Sequence, residues 1–350
     1  MGLARKPAVL SLIALVTVLG GCAGRSAQPP VPEGNTSPPE TLRDDQGVRL
    51  APLAFSSRFQ KAAYILVGEQ HPNPCDHAAQ AAILRRLVRS GIRPVIGLEM
   101  VPADRQDILD AFNRGKLAVG DLPRALDWPK TWGFDFALYA PIFEVARACD
   151  LPVFALNAPA GLARKVGHQG IGALSPAERA ALPGDIIPPA PAQLETLREI
   201  QAMHAAMLAP KGRPGRDPFA AFLTVQSLWD TQMASRARYA RAFFGRPVVI
   251  LAGTGHVEGG FGIARRLTVL DPGATSISIL PWRGGPPPEA GTADVFFSCP
   301  AGKGKRPPAA GGMMPPDPSH QRQMHKLNSP GAAHEGELEN KVPVRGDRGE

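Results

Sequence analysis

The sequence predicts an α/β fold: a mainly parallel central sheet, helices on both of its faces, and a helical insertion over about 158–245 that caps the C-terminal strand edge. Three observations lead there. Five apolar runs recur along the chain: "AYILVG" (63–68), "RPVIGLEM" (93–100), "LPVFALN" (151–157), "RPVVILAG" (246–253) and "TSISIL" (275–280). Such near-continuous runs suit strands buried on both faces. Helix-period patterns separate them, as parallel strands require, and the stretch 158–245 carries helical patterns without a convincing strand.

Taken in order, the chain opens with a secretory pattern. Arg5 and Lys6 precede an apolar run from Ala8 to Leu19, which is short for a membrane span. Leu19-Gly20-Gly21-Cys22 resembles the lipobox of bacterial lipoproteins, in which residues 1–21 are removed and Cys22 becomes the lipidated first residue. Ala23 behind it implies sorting to the outer membrane, facing the periplasm. Residues 22–48, rich in Pro, Ser, Gly and charge, are expected to be the anchor and a flexible tether. The folded domain is expected over 50–283. Residues 284–350, opening with "GGPPPEAG", read as a disordered Pro/Gly-rich tail.

Losing Arg5 and Lys6 takes the formal charge from +8 to +6. No long Lys/Arg run interleaved with aromatics accompanies this excess, which argues against a nucleic-acid partner. With Cys22 assigned to the anchor, Cys75, Cys149 and Cys299 remain, without CxxC spacing. That pattern indicates neither a zinc site nor a disulfide framework. One bridge remains open among the three, and the spacing does not choose it.

Between the first two strands, Ile83, Leu84, Leu87 and Val88 form an apolar stripe while Arg85, Arg86 and Arg89 face outward. Further helices fit 103–114, 135–149, 191–209 and 217–243. In the last, Gln226 and Asp230 are four residues apart and share one face. Phe222, Val225 and Trp229 make a separate apolar stripe.

The strand ends carry the chemistry. In open parallel sheets, ligands lie outside the carboxyl ends of the strands. Here those ends read Gly68-Glu69-Gln70-His71, Leu98-Glu99-Met100, Leu156-Asn157-Ala158 and Gly253-Thr254-Gly255-His256. Glu69, His71, Glu99, Asn157 and His256 are thus delivered to one edge. Each alone could be a satisfied polar residue capping a neighbouring helix. As a set they predict a site, with Glu69, Glu99, His71 and His256 within roughly 10 Å of one another. Two imidazoles and two carboxylates also suit a divalent metal in their chemistry.

The stretches "ILVGEQHPN", "IGLEM", "ALNAPAGLARKV", "QSLWDTQMA" and "LAGTGHVEGGFGI", spread over residues 60 to 270, resemble the ChaN-type haem-binding lipoproteins of the Tiki/erythromycin-esterase-like superfamily. The shared features are two G-x-x-H motifs, Gly68 to His71 and Gly253 to His256, with Glu99 between them. The resemblance implies haem binding and a role in haem and iron acquisition, with haem held face to face across a homodimer. It implies a tyrosine on iron, with His and Lys near the propionates. Of the three tyrosines, Tyr139 in "ALYAPIF" is the candidate ligand; Tyr64 lies inside a strand and Tyr239 near the end of a basic helix. Arg164, Lys165 and His168 are the candidate propionate partners.

Other superfamily members imply a different class, a metal-dependent hydrolase of the protease or esterase kind. His71, Glu99 and His256 would then hold a divalent ion and Glu69 would act as general base, with Asn157, Gln226 and Asp230 lining the pocket. Haem and the membrane anchor belong to the first reading, the metal to the second.

Overall fold

The computed structural model describes residues 41–159, 161–207 and 217–299. The expected signal peptide, the expected lipidation site Cys22 and most of the expected tail lie outside the described residues.

The chain begins in a short strand, β1 (Leu42–Asp44), followed by α1 (Pro52–Phe59), β2 (Tyr64–Glu69), α2 (Pro74–Arg89) and β3 (Val95–Pro102). Helices α3 (Gln106–Asn113), α4 (Leu122–Ala125), α5 (Trp128–Thr131) and α6 (Phe136–Ala148) lead to β4 (Val153–Asn157). Then come α7 (Leu162–Gln169), α8 (Pro176–Ala180), α9 (Leu194–Met207) and the long α10 (Pro218–Phe244). The chain closes with β5 (Val248–Gly253), α11 (Ile263–Leu270), β6 (Ser276–Trp282) and β7 (Val295–Ser298).

The strands form one sheet in the order β1-β7-β6-β2-β5-β3-β4, parallel throughout except for β1, which runs antiparallel to β7. The apolar runs become strands because both of their faces are covered. Along β2 the side chains alternate: Ile65 and Val67 enter the core under α1, α2 and α6, while Tyr64 and Leu66 enter the core under α10 and α11. Helix starts follow from local chemistry. Asn73 caps α2 by accepting from the Cys75 amide at 2.9 Å, and Asp217 caps α10 by accepting from the Phe219 amide at 2.9 Å.

The helical insertion divides in two. The C-terminal half of α10 buries Met233, Ala234, Ala237 and Ala240 against the sheet, so it is the crossover helix between β4 and β5. Its N-terminal half packs Leu228 with Leu162 and Val166 of α7 and with Leu182, forming a small third core beside the strand ends.

Two expected boundaries move. The tail expected from residue 284 contributes β7, whose Phe296 and Phe297 are buried, and the tether expected up to residue 48 contributes β1. Each strand is only three or four residues long, too short for an apolar run to show. The disulfide left open by the spacing joins Cys75 to Cys299, and Cys149 is buried and free.

Candidate functional site

Sheet order assembles the site. The chain leaves β2, builds β3 and β4 to one side, then returns to insert β5 between β2 and β3. Glu69 pairs with Gly253 in the register, so the ends of β2, β5 and β3 stand side by side. Gly253 is glycine for a packing reason. A Cβ there would meet the His71 ring at 2.9 Å and the Glu99 carboxylate at 3.6 Å. That shared point over Gly253 places His71 and Glu99 together, and His256 Nε2 lies 3.3 Å from Glu99 Oε1. The expected convergence of Glu69, His71, Glu99 and His256 is therefore formed.

Around Glu69 the contacts are dense. His71 Nδ1 is 2.8 Å from Oε1, and the Tyr139 hydroxyl donates to the same oxygen at 2.9 Å. Gln80 Nε2 donates to Oε2 at 2.8 Å, with His77 Nδ1 at 3.2 Å. Burial by itself would raise the carboxyl pKa. The charge of His77 and the hydrogen bond from His71 overcome it and hold Glu69 well below the usual carboxylate range. Burial likewise opposes the charged form of His77, but Glu69 pushes it up to about 9. His71 is raised against its burial by the same carboxylate and by Glu99.

Around His256 a second cluster forms. Its Nδ1 lies 2.6 Å from Asp230 Oδ1 and 3.2 Å from Gln226 Nε2, both on α10. Arg266 of α11, fully buried, reaches Asp230 Oδ2 at 3.4 Å. Burial opposes the imidazolium, but Glu99 and Asp230 lift His256 to about 10. Glu99 is raised by burial and lowered more strongly by His256, and it accepts from the Gly253 amide at 2.6 Å. Gly262 serves this cluster, because a side chain there would strike the His256 backbone.

The result is a closed polar core. Glu69, Asp230 and His256 are buried, Glu99 and His71 are nearly so at 5% and 8% exposed, and His71 lies under Trp132 and Phe134 with ring centroids 4.7 and 5.2 Å away. The donor set expected for a metal is turned inward as ion pairs. Among the described residues, no group of three or more His, Cys, Asp or Glu is arranged to hold an ion. In this arrangement His71 pairs with Glu69, and His256 with Glu99, of the expected metal ligands His71, Glu99 and His256. Asn157 sits at the same edge but braces the backbone, donating to the Glu99 carbonyl at 3.0 Å.

The expected haem residues fare differently. Tyr139 is 1% exposed, and its hydroxyl is fixed between Glu69 and the Trp132 indole, which donates to it at 2.9 Å. Burial drives its pKa far upward, with Glu69 adding to the effect, which disfavours the tyrosinate form. The expected iron ligand is thus placed in the core rather than on the surface. Tyr64 is buried and donates to Asp271 at 2.6 Å. Tyr239 is the accessible tyrosine, 55% exposed, stacked on exposed Phe243 at 6.0 Å and 14°, with Arg238 exposed beside it. Lys165 is engaged by Glu178 at 2.6 Å, while Arg164 and His168 are exposed. Their helix, α7, packs on α10 where Gly167 meets Val225. Fourteen residues of helix separate Val225 from Tyr239, about 21 Å at 1.5 Å per residue. Arg164, Lys165 and His168 therefore do not flank Tyr239.

Residue patterns did not single out His77, Gln80 or Arg266. Arg266 carried a usable signal: it falls on the stripe of Ile263 and Leu267, where a cation needs a buried partner. His77 and Gln80 sit one turn apart just behind the first G-x-x-H motif, a spacing that faces them back toward it.

Comparison with known proteins adds the following. A family model described as haem-binding uptake, Tiki superfamily, ChaN matches residues 55–267. Among solved structures, ChaN of Campylobacter jejuni, described with cofacial haem binding, aligns with a TM-score of 0.57 at 19% identity, covering 73% of this chain and 95% of that one. An erythromycin esterase mutant in its open conformation aligns with a TM-score of 0.41 at 16% identity, covering 73% of this chain and 82% of that one. No curated protein matches.

Proposed function

For a chain that belongs to the ChaN haem-binding uptake family of the Tiki superfamily, we propose the role of an outer-membrane-anchored lipoprotein that binds haem for iron acquisition. The observation that carries this reading is the family match across residues 55–267, most of the described domain. The fold shared with Campylobacter jejuni ChaN, described with cofacial haem, supports a haem site on the surface and a pairing of two copies across it.

Within this chain the surface that fits is on α10. Tyr239 offers a reachable hydroxyl, Phe243 a flat apolar neighbour, and Arg238 an exposed cation for a propionate. Haem, when bound, would supply the iron chemistry, and Tyr239, Phe243 and Arg238 would hold it. The chain's part is to present an oxygen donor and an apolar face.

Hemin titrated into the chain from Ala23 onward, which leaves every described residue in place, should give a saturable Soret shift with about one haem per chain. Absence of saturable binding at micromolar hemin would remove the reading.

The metal-dependent hydrolase loses ground on the geometry of the strand ends. Of its expected ligands, His71 is paired with Glu69, and His256 with Glu99 and Asp230. Stoichiometric Zn, Mn or Co in purified protein, lost in His71→Ala and His256→Ala, would restore it.

A further inference from the structure

Five large apolar side chains stand out as exposed among the described residues. Two, Tyr239 and Phe243, belong to the α10 surface. Two others, Val48 (61% exposed) and Leu53 (81% exposed), flank the point where the described chain enters its first helix. Leu50, between them, is buried, and its carbonyl accepts from Arg86 at 3.2 Å. The Arg86 guanidinium lies over the Phe55 ring at 4.3 Å, so α2 is pinned against this segment.

The charges here are one-sided. Arg86 bonds the carbonyl of Leu50, the residue after Arg49, and Arg89 stands one turn further along α2, so three arginines gather at this segment. Arg49 and Arg89 are exposed, and none of the described ion pairs engages any of the three. Of the nearby carboxylates, Asp44 is taken up by the amides of Gln46 and Val48. Asp45 is the exposed opposing charge. Three arginines against the single exposed carboxylate of Asp45 leave a positive excess, which an outside anion offsets.

We propose that Val48, Arg49, Leu53, Arg86 and Arg89 form a docking surface for an anionic phospholipid bilayer. The two apolar side chains enter the headgroup layer, and the arginines pair with lipid phosphates. A few cations and two apolar side chains give a weak contact on their own. It becomes effective when the domain is already confined near the bilayer, because tethering converts docking into an intramolecular event. From Cys22 to Thr41 the chain spans nineteen residues, at most about 65 Å when extended. The proposal takes its setting from the lipoprotein reading, but its test does not need the anchor.

The test is flotation of the chain from Ala23 onward, which lacks Cys22, with vesicles of phosphatidylcholine containing 30% phosphatidylglycerol (an arbitrary working composition, ~30%) or none. Binding should require phosphatidylglycerol and weaken with salt. Arg49→Glu with Arg89→Glu should weaken it roughly tenfold or more, and Leu53→Ser roughly threefold. The control Arg114→Glu with Lys116→Glu makes the same charge change elsewhere and should leave binding largely intact. Should the Glu pair misfold by circular dichroism, Arg49→Gln with Arg89→Gln replaces it. Equal loss in both double variants, or equal binding to neutral vesicles, overturns the docking surface. Loss of lipidation in cells overturns only the anchor.

Discussion

The Nδ1 atom of His256 lies 2.6 Å from Oδ1 of Asp230, a residue 26 positions earlier on a different element. The pair is fully buried, with Glu99 on the other ring nitrogen and Arg266 on the other Asp230 oxygen. Removing one member of such a set leaves buried charge without compensation.

Asp230→Ala should therefore cost about 3–5 kcal/mol near pH 6, measured by urea unfolding. The loss should depend on pH. His256 is raised to about 10 in the folded chain, so its stabilising contribution is complete below the unfolded value near 6.5. It is lost as pH rises toward 10. The gap between wild type and variant should thus narrow between pH 6 and pH 10. A gap independent of pH would show that His256 is neutral when folded.

Glu69 supplies the opposite limb. Its folded pKa is depressed, so its contribution is present above the unfolded value near 4.3 and lost as pH falls through the folded one. Glu69→Gln should flatten the acid side of the stability profile. A steep acid limb in that variant would assign it to other carboxylates.

The two tyrosines should separate stability from haem. Tyr139→Phe removes the donor to Glu69 and should cost about 1–3 kcal/mol while leaving the hemin Soret band unchanged. Tyr239→Phe should keep stability and alter the band. The reverse outcome would return the ligand to Tyr139.

The disulfide closes a long loop, Cys75 to Cys299 across 224 positions. Replacing both cysteines by Ser should lower stability by about 2–5 kcal/mol, most of it through the unfolded chain. Thermal unfolding with and without reductant checks this. A Tm insensitive to reductant would mean that the bridge does not form in solution.

The anchor is tested by Cys22→Ser, which should abolish incorporation of labelled palmitate and keep the protein from the outer-membrane fraction. Continued fractionation there would overturn the lipobox reading.

The sequence by itself determined five of the seven strands of the sheet and which residues stand at its mouth. Runs such as "AYILVG" and "RPVVILAG" can only be buried on both faces, and the polar residues that end them mark where burial stops. That was sufficient to bring Glu69, His71, Glu99 and His256 together, because a parallel sheet puts all of its carboxyl ends on one edge. Sequence did not determine what those groups do to one another. Whether Glu99 meets His256 depends on β5 entering between β2 and β3, a strand order encoded nowhere locally. Whether Tyr139 is reachable depends on Trp128, Trp132 and His77 packing on its ring and on Glu69 taking its hydroxyl. A buried tyrosine and an exposed one look alike in a helical stripe, and a carboxylate beside an imidazole reads the same as ligand or ion pair. Burial and the partner on the far side of each group decide between them, and both arise only when distant segments pack.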